Sequence, residues 1–71
     1  MDAGRVKQRF GARLRKLRKA KGLTQESLAL ACDLDRSYVG AIERGESNVS
    51  LINIHRLAEG LKLKPGELFG D

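Results

Sequence analysis

One cysteine, one proline, no tryptophan, two phenylalanines and one tyrosine stand in a chain of 71 residues, and each scarcity removes a class of protein. Cys32 alone forms no internal disulfide. Cys32 and His55 are the only soft ligands and have no partners at ligand spacing, so no metal site is expected. There is no glycine-rich phosphate loop and no nucleophile–base constellation, so the chain is not expected to be an enzyme or to need a cofactor. The few aromatics do not amount to a stacking platform for single-stranded RNA. No apolar run approaches the length that crosses a membrane, and the basic N-terminus lacks the apolar stretch of a signal peptide, so a cytoplasmic protein is expected. With 41% hydrophobic and 32% charged residues, the composition suits one globular, all-helical domain over residues 1–71.

Charge is plentiful and unevenly placed. Residues 1–22 carry nine Lys/Arg against one Asp, whereas residues 23–71 carry five against eight acids, which yields the overall +5. A basic half in a small domain makes a polyanion the leading partner. A solvated helix face is the plainer account of any single charge.

Val6, Phe10, Leu14 and Leu17 recur at helical spacing and predict a first helix over about Arg5 to Lys21 with that stripe buried and Gly22 as its stop. Leu23 to Cys32 and Asp35 to Arg44 predict two short helices joined by a tight turn, the outline of a DNA-reading helix-turn-helix over 24–45. Thr24 and Asp35 supply the caps and Gly45 the second stop. The inward face of the second helix is read as Leu28, Ala31 and Cys32, and that of the third as Val39 and Ile42. Arg36, Ser37, Gly40, Ala41 and Arg44 then share one exposed stripe of small or hydrogen-bonding side chains. Ser50 is placed to cap a fourth helix whose core stripe is Leu51, Ile54, Leu57, Ala58 and Leu61, and Pro65 to begin a short fifth with Leu68 and Phe69 as anchors.

The order of Arg15, Leu17, Arg18, Gly22, Leu23, Thr24, Gln25, Leu28, Ala29, Tyr38, Ile42, Glu43 and Gly45 continues through Ser50, Leu51, Ile54, Leu57, Ala58 and Leu61. It resembles the Cro/CI (lambda-repressor-like, xenobiotic response element type) helix-turn-helix family over nearly the whole chain. The run LDRSYVGAIERGESNVSLINI is most similar to the controller proteins of restriction-modification systems. The resemblance implies a compact all-α, five-helix DNA-binding domain. At the inter-helix turn the family usually has glycine, where this chain has Asp33; aspartate tolerates a left-handed backbone better than most residues.

Arg36, at the start of the third helix, is the first choice for base reading, because its guanidinium can offer two donors to guanine O6 and N7. Ser37 beside it is suited to a base or phosphate bond. Tyr38 adds a phosphate bond or a thymine-methyl contact, or else is half core, and Ala41 is a spacer with at most an apolar contact. Gly40 would let the backbone approach the bases, although simple helix tolerance explains it equally well. For phosphate positioning, Thr24 and Gln25 stand at the start of the second helix, which the resemblance supports. It also implies that Arg44, Ser47 and Asn48 lie along the DNA backbone, with turn capping as the alternative for Asn48. It further implies an internal ion pair between Arg18 and Glu43. Cys32 reads as a small core hydrophobe and His55 as a surface or interface residue.

A domain of this size reads few base pairs, so a homodimer on a double-stranded palindromic operator is expected. In similar controllers the partner surface comes from helices four and five, which here span 50–70 and offer Ile52, Leu61, Leu63, Leu68 and Phe69, some of which must instead close the monomer core. RNA polymerase is a candidate further partner, and no small-molecule ligand or sensory domain is expected. The leading function is a transcription regulator, a restriction-modification controller acting on its own gene among the forms this could take. The alternatives are a phage-type or antitoxin-like repressor and a protein-interaction module of the same fold.

Overall fold

Asp2 starts the first helix. In the computed structural model, which describes residues 1–70, its carboxylate accepts the Arg5 N–H at 3.2 Å and α1 runs Ala3–Ala20. Asp71, the last residue of the expected domain, lies outside the described residues. The cap sets the helix start two residues before the position that apolar periodicity alone suggested. Of the stripe, Leu14 is fully buried and Phe10 and Leu17 pack against the core, but Val6 is half exposed, because little of the chain covers this first turn.

Three further helices follow: α2 (Gln25–Cys32), α3 (Arg36–Glu43) and α4 (Leu51–Leu61). Each opens on a side-chain cap. Thr24 forms a reciprocal box with Ser27, Asp35 accepts the Ser37 N–H, and Ser50 accepts the Asn53 N–H. Helices of eight residues are marginal alone, so α2 and α3 are held by what they bury. Between them, Asp33 takes φ 56° and ψ 45°, the left-handed conformation that the turn requires, and the Leu34 N–H closes back on the Ala29 carbonyl at 2.9 Å.

The expected fifth helix is a 3-10 helix over Pro65–Phe69. Its bonds span three residues, Glu67 N–H to Lys64 carbonyl and Gly70 N–H to Glu67 carbonyl, and Pro65 has no N–H to contribute to a longer ladder. The domain is therefore four α-helices and one 3-10 turn, with no strand among the described residues.

The core is filled by Leu14, Leu28, Val39, Ile42, Leu57, Leu61 and Leu68, each under 2% exposed. Full burial of each such side chain stabilises by about 1.5–3 kcal/mol. Helix phase corrects three readings. In α2 the inward set is Leu28, Ala29 and Cys32, and Ala31 faces solvent. In α4 Leu51 is 71% exposed rather than core, because the buried stripe begins only at Ile54. Leu61 and Leu68, expected at a partner surface, are each 1% exposed and close the monomer core.

Two glycines set the helix crossings. A Cβ on Gly11 would collide with the Ile42 carbonyl oxygen, so α1 and α3 meet backbone to backbone there. A Cβ on Gly60 would collide with the Cys32 sulfur, which fixes α4 against α2. Neither was marked out by the sequence, where both look like helix-tolerated glycines.

Candidate nucleic-acid interface

The N-terminus of α2 and the outer face of α3 meet in two adjoining open clefts. One is lined by Arg18, Leu23, Thr24, Gln25, Glu26 and Arg36; the other by Gln25, Asp35, Arg36, Ser37, Gly40 and Arg44. Gln25 and Arg36 border both. The two cap residues therefore do more than start helices: Thr24 and Asp35 bring the first turn of α2 beside the first turn of α3, so their side chains emerge on one surface.

The partners of each side chain decide what it can offer. Arg36 is exposed and projects at the rim of both clefts. The Ser37 hydroxyl donates to Asp35 Oδ1 at 2.6 Å, which commits its proton and leaves its lone pairs for a donor. That hydroxyl and the Ser37 N–H hold the Asp35 carboxyl below the usual carboxylate range. The Thr24 hydroxyl is engaged with Ser27, accepting its N–H at 3.0 Å. Ala41 is half-buried.

Gly40 is buried rather than part of the exposed stripe. Arg44 Nη1 lies 3.1 Å from where its Cβ would be and Gln25 Oε1 lies 3.5 Å away, so the missing side chain is the space over which Arg44 and Gln25 converge. This convergence was not legible in the sequence, where the two residues are far apart. Arg44 Nε also pairs with Glu46 at 3.1 Å on an open surface.

Tyr38 is half-buried against the core, and its hydroxyl accepts the Asn53 amide at 3.2 Å. It does not border the clefts that Arg36 borders. Ser47 and Asn48 lie elsewhere as well, in a groove with Val6, Lys7 and Phe10 of α1.

Behind this surface sits the Arg18–Glu43 pair. Arg18 Nε donates to Glu43 Oε2 at 2.7 Å and Nη2 to Oε1 at 3.1 Å, while Nη1 donates to the Leu23 carbonyl at 2.8 Å. The two side chains are 10% and 3% exposed. Glu43 Oε1 also accepts the Gln25 amide at 3.1 Å, so one carboxylate joins α1, α3 and the start of α2. Burial pushes the Glu43 carboxyl up, but the bonds from Arg18 and Gln25, helped by the charges of Arg18 and Arg15, hold it below the usual range. On the opposite side, Cys32 is buried with its sulfur 3.9 Å from the Leu57 carbonyl, and burial pushes the thiol up to about 11.

Of the residues expected at a partner surface, Ile52 and Phe69 are 64% and 59% exposed, and Leu63 is half-buried against the core. Leu51 adds an exposed side chain that the sequence reading had placed inside. The Phe69 ring lies 5.3 Å from that of Phe10, centroid to centroid.

This is the architecture of a DNA-binding regulator, and the chain belongs to the Helix-turn-helix family, whose model matches residues 14–68. Within it, the chain is similar to restriction-modification controllers. It is 51% identical over 67 residues to the control protein C.MunI of Mycoplasma sp, covering 93% of this chain and 90% of that one. Against the control protein C.BamHI of Bacillus amyloliquefaciens it is 45% identical over 60 residues, covering 83% and 74%. The crystal structure of the restriction-modification controller protein C.AhdI from Aeromonas hydrophila superposes with a TM-score of 0.89 at 59% identity, covering 90% of this chain and 97% of that one.

Proposed function

We propose that the protein is a restriction-modification controller that binds a palindromic operator as a homodimer, with the first turn of α3 in the major groove. The observation that carries this reading is the placement of Arg36 at the rim shared by both clefts, beside Gln25 and in line with Arg44. Arg36 reads guanine; Ser37 and Ala41 complete the reading face, with Tyr38 at its edge. Thr24, Gln25 and Arg44 position phosphates, and Ser47 and Asn48, in their separate groove against α1, take a further phosphate past the end of α3. The partner surface is Leu51, Ile52, Leu63 and Phe69, which would set two recognition helices about 34 Å apart on half-sites about 10 bp apart. No helix among the described residues is long and apolar enough to cross a membrane.

Control by protein concentration follows, through dimerisation and cooperative filling of the operator. Selection of binding sites from random duplex DNA, repeated with Arg36→Ala across a salt series, tests the reading. The expected result is an inverted repeat whose guanine preference relaxes in the variant, with affinity falling steeply as salt rises. Equal binding of all duplexes by both proteins would refute it. In sedimentation, Ile52→Asp should shift the dimer to monomer; an unchanged dimer would move the interface away from α4.

A further inference from the structure

The contact between Tyr38 and Asn53 joins the helix that reads DNA to the helix that carries the partner surface. Asn53 lies in the first turn of α4, its backbone N–H held by Ser50 Oγ at 3.1 Å, next to the exposed Ile52. Its side-chain amide donates to the Tyr38 hydroxyl at 3.2 Å. A phenol has one proton and two lone pairs. With the amide on a lone pair, the proton has to go elsewhere, and among the described residues nothing accepts it. Accepting one hydrogen bond also strengthens a hydroxyl as a donor of the next.

We propose that Asn53 is a positioning residue for operator binding: it holds the Tyr38 phenol by its oxygen and leaves the phenolic proton for an acceptor on DNA. This rests on the proposed function, in which Tyr38, outside the clefts that Arg36 borders, stands at the edge of the reading face. The acceptor is an oxygen of either phosphate or base. A phosphate contact strengthens binding to every duplex alike, whereas a base contact strengthens the operator alone. The same arrangement makes the first turn of α4 part of the recognition apparatus, although it need not touch DNA.

Affinities of Asn53→Ala, Tyr38→Phe and the double variant for the operator and for a scrambled duplex, measured by fluorescence anisotropy, test the proposal. Each single change is expected to weaken operator binding about 3- to 10-fold, the range for one neutral hydrogen bond, and the double variant to bind no more weakly than Tyr38→Phe. Asn53→Asp keeps the shape and captures the phenolic proton, so it is expected to bind no better than Asn53→Ala. It serves as the second variant should truncation disturb folding. A role confined to pinning α4 on α3 would lower the melting temperature and leave affinity unchanged, so melting curves accompany each binding curve. In nitrogen-15 NMR the Asn53 side-chain amide should move in Tyr38→Phe and again on adding operator, whereas that of Asn48 should not respond to Tyr38→Phe. Wild-type affinity in Asn53→Ala with weakened Tyr38→Phe, or additive losses in the double variant, would overturn the role of Asn53 and leave Tyr38 as a DNA contact. Wild-type affinity in Tyr38→Phe would overturn both.

Discussion

Glu43→Gln removes a charge and almost no volume, and its effect can be worked from the contacts. The Arg18 guanidinium would remain in a setting where its residue is 8% exposed, with the Leu23 carbonyl and one neutral amide oxygen as acceptors and its counter-charge gone. The new amide would also turn its NH2 toward a donor, Arg18 Nε in one orientation and both Arg18 Nη2 and Gln25 in the other. Breaking a buried pair from one side costs about 3–5 kcal/mol. A domain of this length holds about 4–11 kcal/mol in total, so the variant should lose much of its stability. At about 4–8 °C per kcal/mol, the melting temperature should fall by at least about 12 °C. Urea titration followed by circular dichroism measures this. Glu46→Gln, which breaks the open Arg44 pair with side chains 60% and 58% exposed, should cost under about 1 kcal/mol. Replacing both Arg18 and Glu43 by Met should cost less than the sum of the two single changes, because no orphaned charge remains. A loss under about 1 kcal/mol for Glu43→Gln would refute the reasoning, since it would mean that the guanidinium reaches water without disturbing the fold.

Acid should act through the same carboxylate. Its folded-state pKa is depressed, so the stability it contributes is complete above the unfolded value of about 4.3 and is lost as pH falls through the folded one. Denaturation midpoints should hold steady from pH 7 to about 5 and fall below about 4; an equal fall in Glu43→Gln would assign the effect to other groups. Gly11→Ala should destabilise by about 1–3 kcal/mol, because the Ile42 carbonyl is backbone and cannot swing aside; an unchanged melting curve would show that α1 slides at no cost. The Cys32 thiol, buried and with its pKa pushed up to about 11, should react with an aromatic disulfide at neutral pH far more slowly than the unfolded chain. Equal rates would place the sulfur at the surface.

Local signals were the legible part of the sequence. Thr24, Asp35 and Ser50 announce their helices because a cap is a bond within three residues. Asp33 kept the turn despite lacking the usual glycine, because a left-handed residue was demanded there and aspartate can supply it. Contacts between distant segments were harder to read. That Ala29 rather than Ala31 faces inward, or that Leu51 is outside while Leu61 and Leu68 close the core, depends on where neighbouring helices lie. Gly11, Gly40 and Gly60 matter through atoms more than eleven positions away or through side chains arching over them, and no local pattern encodes that. At the site, residue types on α3 suggested a reading face, but the convergence of Gln25 and Arg44 over Gly40, and the Asn53 bond to Tyr38, needed the third dimension.

Asp33 and Lys62 both sit at positive φ, 56° and 58°, each just past the end of a helix. A side chain in that conformation carries strain of about 1–2 kcal/mol, part of which glycine would relieve while giving back about 0.5–1 kcal/mol in chain entropy. The chain thus holds a small reserve of stability in two exposed places outside the proposed reading face. A line of descent, or a protein engineer, could draw on it to tolerate a destabilising change on α3 and so move to a new operator without first losing the fold.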